Sequence, residues 1–193
     1  MKTARRPTYS FLILVIGLII IDTLLAWFFL QISPTTARGV AVIGIAAAFM
    51  VLFTLWFGMY GAIAAFVGGV LGSGLLSGLP ASVSVYSALA DLWLVLVPLV
   101  AFRIFEVNPA MESRRDLFHL VLFGIIINNL IAASWGAISL ALGKVILWNE
   151  IMAAFLPWFI GNVIFSVIIV PFLLRRYTPA VSRSKVYVKN YWF

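Results

Sequence analysis

Between Phe11 and Leu30 a single charged side chain, Asp22, interrupts an otherwise apolar run. A run of about 20 such residues is what an α-helix needs to cross the hydrocarbon core of a bilayer. The pattern then recurs along the chain. Apolar segments can be drawn over about 10–30, 39–57, 59–78, 84–103, 117–142 and 150–174. Hydrophobic residues make up 64% of the chain and charged residues only 10%. A soluble domain is roughly half apolar and about a quarter charged, so the excess has no core to hide in. Lipid must be the solvent for most of this surface.

The expected fold is therefore an all-α integral membrane protein, a bundle of six transmembrane helices forming one membrane domain over residues 1–193. Lys2, Arg5 and Arg6 precede the first apolar run, as in a secretory leader. That run is longer than a leader's apolar core, and further spans follow at once, so it reads as a helix that is kept. The second and third segments are separated only by Trp56-Phe57-Gly58-Met59-Tyr60. A break is required there, because one helix over 39–78 would far exceed the bilayer.

Charge placement sets the expected orientation. With the N-terminus inside, all of the 13 Lys and Arg residues except Arg38 and Lys144 fall on the inner face. The inner set includes Arg103, Arg114, Arg115, Arg175 and Arg176, together with Arg183, Lys185 and Lys189 in a basic tail over 175–193. Cytoplasmic loops carry such an excess, so both termini are expected in the cytoplasm. The net charge of +7 then belongs to headgroup contact, and nucleic acid is not an expected partner.

Candidate functional residues are the polar groups inside the spans, which are costly in lipid and usually face the bundle interior. Asp22 lies in the first span and Asp91 in the fourth. Asn128 and Asn129 lie in the fifth, with Trp135 seven residues on from Asn128 and on the same face. Asn162 lies in the sixth with Trp158 one turn outward, and Glu150 opens that span. Aromatics with a few polar groups are how a small-molecule site is built, which makes Asp91, Asn128, Trp135, Trp158, Asn162 and Glu150 the candidate solute-binding set. Packing or hydrogen bonding between helices is the alternative role for each. The third span carries small residues every four positions, at Gly61, Ala65, Gly69, Ser73 and Ser77. Such a stripe permits close helix packing, either within the bundle or against a docking partner.

Catalytic signals are weak. The chain has no cysteine and one histidine, His119, at a membrane edge beside Arg114 and Arg115. No His, Asp and Glu set has metal-ligand spacing, and no phosphate-cradling loop is present. No enzyme activity, metal or cofactor is expected.

The stretch Phe57-Gly58-Met59-Tyr60-Gly61-Ala62-Ile63-Ala64-Ala65-Phe66-Val67-Gly68-Gly69, followed by the Gly-rich run to Pro80, resembles the third helix of S-components, the substrate-capture subunits of energy-coupling factor (ECF) transporters. Asn129 with Ala132, Ala133 and Gly136, and Gly161-Asn162-Val163-Ile164 leading to Pro171, are similar to the fifth and sixth helices of that family. The resemblance spans about residues 40–175. It implies a six-helix subunit in a prokaryotic cell membrane that binds a vitamin or other micronutrient in an outward-facing pocket. The loop around Ser33–Arg38 would cover that pocket. A membrane coupling subunit and ATPase subunits would be its partners, docking on a surface such as Gly61, Ala65, Gly69 and Ser73. The Ala-xxx-Ala docking motif of many S-components is absent between Phe11 and Leu30. The sixth span, from Pro157-Trp158-Phe159 to Pro171-Phe172-Leu173-Leu174, also resembles the membrane sensor regions of bacterial signalling proteins. A ligand sensor, or an ion-coupled carrier using Asp22 and Asp91, are the alternative functions.

Overall fold

The computed structural model describes residues 9–34 and 40–189. Lys2, Arg5, Arg6 and Arg38 lie outside the described residues, as does most of the expected pocket-covering loop. Six helical segments are α1 (Tyr9–Ile32), α2 (Ile45–Phe57), α3 (Met59–Ser77), α4 (Ala81–Ile104), α5 (Arg114–Leu142) and α6 (Trp148–Val181). All except α2 are long and apolar enough to cross a membrane, and the chain is thus a multi-pass helical protein of the membrane type. At about 1.5 Å per residue, the 13 residues of α2 reach roughly 20 Å, short of the roughly 30 Å hydrocarbon layer.

The expected helix over 39–57 is therefore shorter in the structure. Residues 40–44 are irregular and lead into α2 at Ile45. Glycine explains this path at two contacts with α6. A Cβ at Gly161 would lie 2.8 Å from the carbonyl carbon of Val42, and one at Gly44 would lie 2.8 Å from the backbone nitrogen of Asn162. Both contacts are with backbone, which cannot rotate away. Irregular backbone is tolerated at membrane depth only where protein covers it, and Val40 is buried against Leu79, Val83 and Ile146.

The break between α2 and α3 falls on Gly58 alone, at φ +60° and ψ −137°, a region that essentially only glycine occupies. Its N–H donates to the Thr54 carbonyl at 2.8 Å, closing α2. The next turn returns α3 so closely that a Cβ at Gly61 would meet the backbone of Phe53 and Thr54. Two helices contain π-helical segments, Val70–Gly74 in α3 and Leu120–Ile127 in α5. In α5 the Asn129 amide donates to the Ile125 carbonyl at 2.7 Å, satisfying an acceptor at the end of that segment.

Helices α1 and α3, and α4 and α5, pack side by side, while α2 lies against α6, α3 and α4. The largest core cluster gathers Leu52, Leu55, Leu94, Phe102, Leu120 and Leu174. The outer faces carry exposed apolar side chains such as Ile13, Ile20, Ile131, Ile164 and Phe172, as lipid-facing helices do.

One end of the bundle is fastened by polar contacts. The Trp56 indole donates to Thr178 Oγ1 at 2.9 Å, and the Thr178 hydroxyl donates to the Pro109 carbonyl at 3.3 Å. Arg175 donates to the Met111 carbonyl at 3.3 Å. Helix α6 continues through the first part of the expected basic tail to Val181. The chain then turns back, so that the Val188 N–H donates to the Trp56 carbonyl at 3.1 Å. The loop 105–113 is closed by a capping box, in which Ser113 Oγ accepts from the Asp116 N–H at 3.0 Å and Asp116 accepts from the Ser113 N–H at 3.2 Å.

Candidate functional site

A cavity of about 50 Å³ lies at the end of the bundle remote from that fastening. Its wall combines the irregular segment (Ala41, Ile43, Gly44) with Ser73 of α3, Asp91 of α4, and Trp158 and Asn162 of α6. Three residues of the sequence-derived binding set, Asp91, Trp158 and Asn162, thus meet at one place. Each is delivered by a local feature. Asp91 comes close because Gly69 offers no side chain: a Cβ there would be in hard contact with the Asp91 carboxylate and 3.4 Å from Ala88. Trp158 lies over Gly136, where a Cβ would be in hard contact with the indole ring. Asn162 is held beneath the irregular segment by the glycines at 44 and 161. That segment is pinned in turn, since the Ile43 N–H donates to Ser33 Oγ at 3.1 Å and the Ser33 hydroxyl donates to the Phe29 carbonyl at 2.6 Å.

The other three candidates sit elsewhere. Asn128 is fully buried in the seam between α5 and α4, where its amide donates to the Leu94 carbonyl at 2.9 Å. Trp135 is 39% exposed on the outer side of the same seam. Its indole donates to the Tyr86 carbonyl at 2.9 Å, with Trp93 beside it at 6.3 Å between ring centroids. Glu150 is exposed, and its carboxylate accepts the Leu147 N–H at 2.7 Å at the start of α6.

The small-residue stripe faces inward. Gly61 packs on α2, Ala65 is fully buried, Gly69 receives Asp91, and Ser73 lines the cavity. In this conformation the stripe serves the chain's own packing, which leaves its first three members out of reach of a partner. His119 clusters with Phe105 and Phe123, at 4.7 and 6.2 Å between ring centroids, and its Nδ1 lies 2.7 Å from the Arg115 carbonyl oxygen. Among the described residues no three His, Asp or Glu side chains gather as a metal site would require.

Several wall residues were not legible as site residues. Ala41, Ile43 and Gly44 form part of the wall only because the chain there is not helical, and hydropathy does not distinguish an apolar helix from an apolar irregular segment. Ser73 carried a signal, a hydroxyl in a span, but its four-residue spacing pointed to packing.

Fold and site together define a multi-pass helical membrane protein with a small, mostly apolar cavity near one end, whose wall includes Ser73, Asp91, Trp158 and Asn162. Comparisons with protein-family models, with curated proteins and with solved structures find no match. The functional reading therefore rests on the residues and their geometry.

Proposed function

We propose that this protein is the substrate-capture subunit of an ECF-type importer, taking up a vitamin-like or other small micronutrient through the cavity at Asp91, Trp158 and Asn162. The observation that carries this reading is the convergence of those three side chains, from two helices, on one cavity with Ser73. A carboxylate, a carboxamide, a hydroxyl and an indole favour a solute that presents a cationic or hydrogen-bond-donating group beside a flat apolar part.

On this reading the chain crosses the membrane six times with both termini in the cytoplasm of a prokaryote. Residues 40–57 together supply the second crossing, with the irregular part shielded by α6. The end fastened through Trp56 and Thr178 then faces the cytoplasm, in keeping with its arginines, and the cavity faces outward. At about 50 Å³ the cavity takes only a few water molecules. Solute capture therefore requires segment 40–44 to lift from Gly161. A separate coupling subunit and ATPases provide the energy, and a coupling subunit docks on a face other than the buried stripe.

The test is uptake of a panel of labelled vitamins and their precursors in a host expressing the chain with an ECF coupling subunit and its ATPases. Uptake that disappears when the ATPases are inactivated is the expected result. Uptake that persists without them contradicts the proposal and favours an ion-coupled carrier, a reading supported by the burial of Asp22 beside Asp91. Binding of a panel member without any uptake favours the sensor.

A further inference from the structure

Asp22 is the least ordinary residue of the bundle. It lies well inside α1, it is 0% exposed, and neither carboxyl oxygen has a hydrogen-bond partner. Its position follows from α3. A Cβ at Gly68 would stand 2.6 Å from the Asp22 Cβ, so only glycine admits the carboxyl between the two helices. The adjacent Gly69, about 100° further around the helix, lies against the Asp91 carboxylate of α4. Two carboxyl groups therefore lie against neighbouring residues of one helix. Directly beyond them α3 becomes π-helical over Val70–Gly74, a local departure often found at functional sites.

The only cation among the described residues of α1 to α4 is Arg103. Among the described residues α1, α2 and α3 contain no Lys, Arg or His, and their only other titratable groups are Tyr9 and Tyr60. On α4 the others are Tyr86 and Arg103. Arg103 is 12 residues from Asp91, about 18 Å along a helix. An isolated carboxylate in a membrane interior is strongly disfavoured, and two like charges in one site cannot both ionise readily.

We propose that Asp22 and Asp91 form a proton-binding pair, with the proton held on Asp22 and the remaining negative charge on Asp91 at the cavity wall. The pair exchanges its proton through Asp91, the member that reaches the cavity. The pair shares Asp91 with the solute cavity but needs no solute to be occupied.

Infrared spectroscopy of the full-length protein in lipid bilayers tests it. The expected result is a protonated carboxylic-acid carbonyl band at neutral pH that shifts when aspartate is isotope-labelled. Asp116 does not contribute, because it accepts hydrogen bonds from Ser113 and Asn108 as a carboxylate. The band is lost in Asp22→Asn and persists in Asp91→Asn. Isotope labelling reads the unsubstituted protein, so the result does not depend on a variant folding. Absence of an acid carbonyl at neutral pH, or a band that survives in a folded Asp22→Asn protein, overturns the proposal. Loss of the band on adding sodium at constant pH also overturns it, by showing that a metal cation occupies the site.

Discussion

Adding one methyl group at Gly161 should be costly, and adding the same group at Gly17 should not. At Gly161 the new Cβ would lie 2.8 Å from the Val42 carbonyl carbon and closer still to its oxygen. Neither atom can yield by a side-chain rotation, so segment 40–44 or helix α6 must move. Overpacking of this kind costs about 1–3 kcal/mol. For a chain of this size each kcal/mol corresponds to roughly 2–4 °C in Tm, so Gly161→Ala should lower the apparent melting temperature by about 2–12 °C. At Gly17 no heavy atom lies within 4 Å of the added carbon. Gly17→Ala should be neutral, or stabilising by up to about 1 kcal/mol through helix propensity. Thermal unfolding of both variants in the same detergent reads the difference. Equal melting temperatures would refute the packing of segment 40–44 on α6, and with it the cavity wall.

Other consequences can be checked separately. Asn128→Ala removes the interhelical bond to Leu94 and should destabilise by about 0.6 kcal/mol, and at most about 1.7, as for other hydrogen bonds between membrane helices, read by denaturant titration. Trp56→Phe breaks the indole contact with Thr178 and should cost about 1 kcal/mol, with faster proteolysis near residues 182–189 as its local sign. Glu150→Gln, at an exposed helix start, should change stability by less than about 0.5 kcal/mol. The chain has no cysteine, so single cysteines report sidedness cleanly. A maleimide that cannot cross membranes should label Lys144→Cys in intact cells and Ser184→Cys only after lysis.

Hydropathy made the long helices legible, because a lipid-facing surface leaves little choice of residue. The helix break at Gly58 was legible too, from the excess length of residues 39–78. The start of α2 was not, since Val40 to Ile43 are as apolar as a helix and their path is set by a contact with Gly161, far along the chain. Helix α6 runs past Arg175 and Arg176 because charge ends a membrane span without ending a helix. Of the binding candidates, Asp91, Trp158 and Asn162 could be found as polar or aromatic residues in spans. Asn128 and Trp135 carried the same signal but point into and across the α4–α5 seam. The rotation of each helix about its axis decides between those outcomes, and that rotation is a property of packing. The capping box at Ser113 and Asp116 starts α5 at Arg114, ahead of the apolar span expected over 117–142, because the first turn of that helix is charged and hydropathy does not register it.

The most direct measurement of the central claim is a native mass spectrum of the purified full-length protein with its variants. Solute capture at the cavity predicts one bound small molecule of vitamin-like mass on the wild-type protein. That mass should be lost in Trp158→Ala and Asp91→Ala and retained in Trp135→Ala, whose indole lies on the outer face. A bound mass lost in Trp135→Ala but kept in Trp158→Ala would contradict the assignment of the site. A protein carrying only lipid would contradict capture itself.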